Sequence, residues 1–297
     1  MQPSALVLTA ALAALTLAGC NRSEPAAPAE TAAPAEKRFP ITGEVLSADP
    51  ARKILIVHHD EIPGYMPEMT MEFLVSAGDL AVIQPGMRIR AEMIPSDTGD
   101  FRLEKIWPDD RTAAAAVEAG TKALRQDTMI RGRGVYREVG EQAPEFVLYD
   151  QNGTVVQSAR FRGKQVMLNF IFTRCPVATM CPASTMKMMA SQQLAKEAGV
   201  PNIEFVSITL DPAYDTPGVL KEYADVRGID TTNFSFLTGP ESAIKDLLAQ
   251  FGVITAFEGN LINHTLATVL IDANGRIIHR ADGSVWEPKD FVAKMKR

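Results

Sequence analysis

Cysteine is scarce in this sequence: three residues among 297, at positions 20, 175 and 181. So few thiols exclude a disulfide-stapled scaffold, and stability must come from packed cores. Charge is missing from the first 19 residues, which are rich in Ala, Leu and Val. Aromatic residues are missing from residues 24–37, where Pro, Ala and Glu dominate. Nothing there can seed a core, so the segment reads as an extended tether. An excess of basic residues is missing too. The formal net charge is -6, and such mild acidity gives no reason to expect nucleic-acid binding. No internal repeat is evident.

The uncharged leader ends Leu17-Ala18-Gly19-Cys20 and resembles a bacterial lipoprotein signal, with Cys20 as the acylated residue. The absence of Lys and Arg near the start departs from the usual export signal. The apolar stretch is short for a span of about 20 residues, and an uncleaved anchor is the alternative. Either reading places the rest of the chain in the bacterial periplasm, held at a membrane, with inner and outer membranes both open. The residues after Cys20 suffice for two modest domains of about 100–200 residues each. The expected division is a signal at 1–19, a lipidated tether at 20–39, a β unit at 40–107, a linker at 108–133 and an α/β unit at 134–297.

In the β unit, residues 53–58, 70–75 and 87–94 are rich in apolar and β-branched side chains. Turn signals such as Pro63-Gly64 and Thr98-Gly99-Asp100 separate them, which predicts a small OB-like barrel. Residues 109–132 are Ala-rich and charged, as in a semi-helical linker. Beyond residue 134 the pattern alternates. Residues 166–172, 203–210 and 267–271 read as buried strands, and 182–197, 219–226, 241–251 and 288–296 as helices. Asp272-Ala273-Asn274-Gly275 is a hairpin turn, with residues 276–279 returning. Alternation of this kind predicts an α/β layer fold whose reactive groups sit at the carboxyl ends of strands.

Cys175 lies at such an end, in Thr173-Arg174-Cys175-Pro176-Val177-Ala178-Thr179-Met180-Cys181-Pro182. Pro182 suits the first position of a helix, which puts Cys181 at the N-cap, facing the positive end of the helix dipole. That placement, with Arg174 beside Cys175, favours thiolate over thiol. Two neighbouring thiols can form a disulfide, exchange disulfides, or bind a soft metal ion. Inert buried cysteines are the plain alternative.

Three segments in order, FIFTRCPVATMCP at 170–182, ITLDPAYDTPGVLKEYA at 208–224 and NHTLATVLIDANG at 263–275, resemble the Sco/SenC family of thioredoxin-like copper proteins. The resemblance covers residues 134–297. It implies a copper site, Cu(I) or Cu(II), made by Cys175, Cys181 and His264, with Asp211 and Arg174 supporting it. Five residues separate the cysteines here, where most family members have three. Asp215 reads as a turn or capping residue.

The β unit carries a second constellation. Met69 and Met71 are two apart, so both side chains point to one face of a strand. Imidazole and thioether together suit Cu(I), although methionines also simply fill cores. The stretch from His58 to Phe73 resembles the small periplasmic CusF-like copper-binding barrel. That resemblance implies His59, Met69 and Met71 as ligands, with His58 on the opposite face. Met66 stands before Pro67 where that family has a Trp cap, with Tyr65 adjacent, and is a further sulfur candidate.

The combined expectation is a membrane-anchored periplasmic copper metallochaperone. Its client would be a respiratory oxidase subunit, with copper A of cytochrome c oxidase foremost, or another copper protein, and a periplasmic copper donor would be a further partner. A thiol-disulfide oxidoreductase that prepares client cysteines is the rival from another class, and a copper-buffering protein is a third reading. A thioredoxin would have two residues between its cysteines and a proline near Asn263-His264-Thr265, and this chain has neither.

Overall fold

The computed structural model describes residues 36–258 and 261–296. The leader, Cys20 and the tether as far as residue 35 lie outside the described residues. Among the described residues no helix is long and apolar enough to cross a membrane.

Five strands, β1 (Phe39–Asp49), β2 (Ile54–His59), β3 (Met69–Leu74), β4 (Arg88–Pro95) and β5 (Phe101–Pro108), close into a barrel in the order β1-β2-β3-β5-β4. The short helix α1 (Ala77–Val82) joins β3 to β4. Period-2 alternation fills the interior: Leu55 and Val57 of β2 and Phe73 of β3 are buried in one apolar cluster with Met93 and Leu103, and His59 is buried on the same face of β2. Outward positions such as Thr70 and Glu72 stay exposed or polar.

The expected linker is a docked helix, α2 (Arg111–Arg131). Asp110 caps it, its carboxylate accepting from the Thr112 and Ala113 backbone N–H groups at 2.7 and 3.2 Å. Alanine-rich sequence supplies the helix propensity, and Val117 and Leu124 supply the buried face. Arg125 of α2 donates to the buried Asp246 at 2.9 Å, and Gln250 donates to Thr128 Oγ1 at 2.9 Å. A helix held in this way is a bracket rather than a flexible tether.

The remaining chain builds a seven-stranded sheet. Its elements are β6 (Val147–Asp150), β7 (Val155–Gln157), β8 (Gln165–Ile171), α3 (Cys181–Glu197), β9 (Ile203–Thr209), α4 (Pro217–Val226), β10 (Phe234–Thr238), α5 (Glu241–Gln250), the hairpin β11 (Thr255–Glu258) and β12 (Leu261–His264), β13 (Ala267–Ile271), β14 (Ile277–Asp282) and α6 (Pro288–Val292). The strand order is β14-β13-β8-β9-β10-β6-β7. Strands β8, β9 and β10 are parallel, and every residue of β8 and β10 is buried. Their unbroken apolar character follows from burial on both faces. Phe170, Phe205, Phe234 and Phe236 are fully buried there.

Helix α1 of the barrel packs against α4 of the larger unit. Two glycines make the approach possible: a Cβ on Gly78 would collide with the Gly218 carbonyl, and one on Gly218 with the Asp79 carboxylate. Asp79 is buried in this joint. Ser76 Oγ donates to it at 2.7 Å, and the Asp79 N–H donates back to Ser76 Oγ at 3.0 Å. Desolvation pushes the carboxyl up to about 6, against the Ser76 hydrogen bonds, with Glu222 and Glu104 adding repulsion.

A carboxyl raised in this way favours the folded state most in acid, and that advantage fades as pH climbs toward about 6. Asp79→Asn should therefore stabilise the protein at pH 7 by about 2 kcal/mol and do little at pH 4. Urea unfolding midpoints at the two pH values check this, and an equal shift at both would contradict it.

Candidate metal centre

The larger site is assembled by strand register. Strand β13 runs antiparallel to β8, with Thr268 opposite Asn169 and Ile271 opposite Val166. Continuing that register backward from Ala267 carries His264 past the end of β8, toward the loop of Thr173, Arg174 and Cys175. The hairpin β11–β12, with His264 opposite Thr255, carries the histidine there. On the other side Cys181 opens α3, with Met180 as the N-cap and Pro182 in the first turn.

These placements converge. One donor atom each from Cys175, Cys181 and His264 lies within 4.8 Å of the others, and Cys181 Sγ is 3.4 Å from His264 Nε2. Thiolate and imidazole bonds of about 2.0–2.3 Å to a common ion put donors about 3.5–4 Å apart, so a small closure suffices. The His264 Nδ1–H donates to the Thr265 carbonyl at 3.1 Å. This bond fixes the tautomer and leaves the Nε2 lone pair toward the sulfurs, the usual arrangement of a metal-ligating histidine. Burial holds the imidazole below its usual range, against that hydrogen bond, and so keeps it in the neutral, ligating form. Its ring meets the edge of Phe172, with centroids 5.6 Å apart.

Helix position does not give Cys181 a ready thiolate. The residue is fully buried, and burial pushes its thiol up, with the neighbouring Cys175 adding to the shift and a Phe172 backbone hydrogen bond opposing it. Desolvation outweighs the helix dipole here, because the dipole is a surface-scale effect of about 0.3–1 kcal/mol and a buried charge costs several times more. Arg174 does not serve Cys175 either. Its Nε donates to the buried Asp211 at 2.7 Å, and its guanidinium lies over the Tyr214 ring, 4.6 Å from the centroid. Arg174 and Asp211 therefore fix the loop to the end of β9.

Asp215 has a parallel task. It is fully buried and accepts from Thr173 Oγ1 and Thr209 Oγ1, both at 2.5 Å, and from the Thr173 N–H at 3.2 Å. Thr209 carries no local motif that singles it out, and only its buried partner reveals it. His279 packs its ring on Phe291, with centroids 4.7 Å apart, away from the donor cluster.

The barrel brings its own donors together by pairing. His59 lies directly opposite Met69, Val57 opposite Met71, and Leu55 opposite Phe73. Directly paired residues share a face, so His59, Met69 and Met71 stand on the inward face at one end of the barrel. The His59 Nδ1–H donates to the Asp60 carbonyl at 2.7 Å, and its buried Nε2 has no hydrogen-bond partner. An unpartnered buried acceptor is costly unless something fills it, and a soft cation fits. Met71 and Met66 pack on the barrel core, while Met69 is 42% exposed. His58 faces outward, its ring nitrogens 3.1 Å from Thr70 Oγ1 and 2.9 Å from Glu68. Tyr65 stacks on Phe39, with ring centroids 4.0 Å apart.

Comparison with known proteins agrees with these two units. The SCO1/SenC family model matches residues 135–297, and the model for the copper binding periplasmic protein CusF matches residues 38–108. The chain belongs to the SCO1/SenC family, with a CusF-like barrel ahead of its thioredoxin-like domain. A SCO2-like protein of Rickettsia typhi is 34% identical over 167 residues, which cover 53% of this chain and 79% of the relative. A SCO1 protein homolog of Bacillus subtilis is 26% identical over 168 residues, 54% of this chain and 84% of the relative. Among solved structures, a SCO1/SenC family lipoprotein from Bacillus anthracis superposes with a TM-score of 0.50 at 29% identity, over 55% of this chain and 98% of that one. Both families bind copper, and the two donor sets suit it: thiolate with imidazole, and thioether with imidazole.

Protons distinguish the two sites. Each thiol that ligates must lose one, so apparent Cu(I) affinity at Cys175 and Cys181 should climb about tenfold per pH unit for each thiol still protonated. Because burial raises Cys181, this slope should persist through neutral pH. Thioethers carry no proton, so affinity at His59, Met69 and Met71 should fall less steeply as pH drops than affinity at the two thiols. Competition titrations with Cys175→Ser/Cys181→Ser and with Met69→Leu/Met71→Leu proteins measure the two slopes separately. Equal slopes would contradict the assignment.

Proposed function

We propose that this chain is a membrane-anchored copper metallochaperone of the periplasm. It would deliver copper to a respiratory oxidase, with the copper A centre of cytochrome c oxidase as the client. The observation that carries this reading is the convergence of two thiols and one correctly oriented imidazole at the end of β8. Sco proteins work with the copper centres of cytochrome oxidases, which supports the choice of client. The Bacillus anthracis relative is described as a lipoprotein, which supports lipid attachment at Cys20. CusF is described as periplasmic, which supports the location.

Copper is cargo in this scheme. Cys175, the more exposed of the two thiols, is where an ion is first met and last released. Cys181 and His264 hold it from the buried side. Arg174 and Asp211 keep the loop in place, and Asp215 ties its first residue to β9. Proton loss from the thiols accompanies capture, and proton return favours release. The barrel would hold Cu(I) through two thioethers, which carry no proton, and one imidazole, and pass it toward the thiols, which grip Cu(I) more firmly than thioethers do.

The oxidoreductase alternative draws on the same two neighbouring sulfurs. Against it, burial raises the Cys181 thiol, whereas an exchanging thiol is better poised near the ambient pH.

Transfer can be followed with the full chain. Cys175→Ser/Cys181→Ser protein carrying one Cu(I) on the barrel, mixed with copper-free Met69→Leu/Met71→Leu protein in reducing buffer, should lose at least about nine-tenths of its copper to the thiol site. Copper left on the first protein at equilibrium would overturn the direction. Wild-type protein loaded with copper should metallate a reduced copper A domain, and the double-serine variant should not. Rapid turnover of a model disulfide by copper-free protein would instead favour the oxidoreductase. Cys20→Ala should move the protein from the membrane fraction to the soluble one.

A further inference from the structure

The loop between the cysteines holds a third sulfur. Met180 immediately precedes Cys181, and its backbone is fixed on both sides: its N–H donates to the Val177 carbonyl at 3.0 Å, and its carbonyl accepts from the Ser184 N–H at 2.8 Å. The first of these bonds closes the inter-cysteine loop, and the second starts α3. Its backbone angles of -106° and -110° are not helical. The backbone that carries this sulfur is thus pinned directly beside the second thiol.

Met180 and His264 line one open groove of about 470 Å³, together with Tyr136, Arg280, Asp282 and Thr265 among others. Several polar groups in that wall already have partners. Asp282 accepts from Arg280 at 2.6 and 2.9 Å, Tyr136 lies under the Arg280 guanidinium, and the Thr265 hydroxyl accepts from the Ile254 N–H at 3.0 Å. Met180 is the one sulfur among the groove's lining residues. Met180 is half-buried there.

We propose that the Met180 thioether is a further donor to the ion held by Cys175, Cys181 and His264. Three donors leave a soft ion with room for one more. A thioether is the ligand that a thiolate–imidazole copper site takes as a weak additional partner, and it tunes affinity and potential without adding charge or a proton. The five-residue spacing between the cysteines supplies this residue: the loop places a methionine next to the second thiol, with its backbone already ordered, so little entropy is lost on ligation. This inference rests on copper occupying the thiol site, as in the function proposed above.

The test uses full-length protein carrying Met66→Leu, Met69→Leu and Met71→Leu, so that copper reports on the thiol site alone. In that background Met180 is compared with Met180→Leu, and with Met186→Leu as a control, because Met186 is 61% exposed on the same helix. Circular dichroism of the copper-free proteins should be superimposable. X-ray absorption of the Cu(I)-loaded proteins should count three sulfurs and one nitrogen with Met180 present, and two sulfurs and one nitrogen in Met180→Leu. Copper dissociation should be about tenfold faster in Met180→Leu, a change of the size expected for one weak donor. The thiolate-to-Cu(II) absorption band should also shift in that variant and remain in place in Met186→Leu. The same sulfur count, band and dissociation rate in Met180 and Met180→Leu proteins would overturn the proposal while leaving the three-donor site intact. Failure of all these proteins to bind copper would overturn the proposed function and this inference together.

Discussion

The antiparallel pairing of β13 with β8 is the constraint on which the larger site depends. Cys175 and Cys181 are local to each other, but His264 is 83 residues from Cys181. Only the register of Thr268 on Asn169 brings the imidazole to the end of β8. A one-residue slip would exchange the faces of the whole strand, and the close packing of the fully buried β13 on both faces opposes it. The polar groups at this seam are matched as well. Asn169 donates to Ser184 at 2.8 Å and accepts from Ser207 at 2.6 Å, both fully inside, which ties β8 to α3 and β9. The helix that carries Cys181 is thereby fixed to the strand that leads to Cys175.

Burial sets the chemistry of that site. A desolvated Cys181 favours its thiol, so a cation that binds there displaces a proton. The barrel differs in its donors. Its buried His59 Nε2 lacks a partner, while the nearby sulfurs are neutral at all pH values. One end of the barrel is thus kept incompletely satisfied, and the opposite inward positions, Leu55 and Phe73, are wholly apolar.

The two units are joined by more than a covalent link. Helix α2 is held by Arg125 on Asp246 and by Gln250 on Thr128, and the Gly78–Gly218 approach admits no side chain. A cleft lined by Leu74, Arg102 and Lys105 of the barrel unit and by Thr173, Arg174 and Tyr214 of the larger unit lies between them. The loop that precedes Cys175 therefore borders the barrel, and the Arg174–Asp211–Tyr214 assembly is part of that wall.

Much of this was legible in the sequence because it is written locally. The resemblance to the CusF-like barrel picks His59 over His58, and the spacing of Met69 and Met71 puts their sulfurs on one face. Pro182 marks the start of α3, and the apolar runs mark β8, β9 and β13. Donor chemistry is equally local, since thiol, thioether and imidazole keep their softness in any fold. What the tertiary structure alone decided depends on burial and on distant partners. It set the protonation of Cys181, where desolvation outweighs a helix terminus. It gave Arg174 to Asp211 rather than to Cys175, made Asp215 the buried acceptor for Thr173 and Thr209, and turned the expected linker into a docked helix. Each of these balances is struck between groups far apart in the chain, and periodicity and propensity, which act over a few residues, carry no information about them.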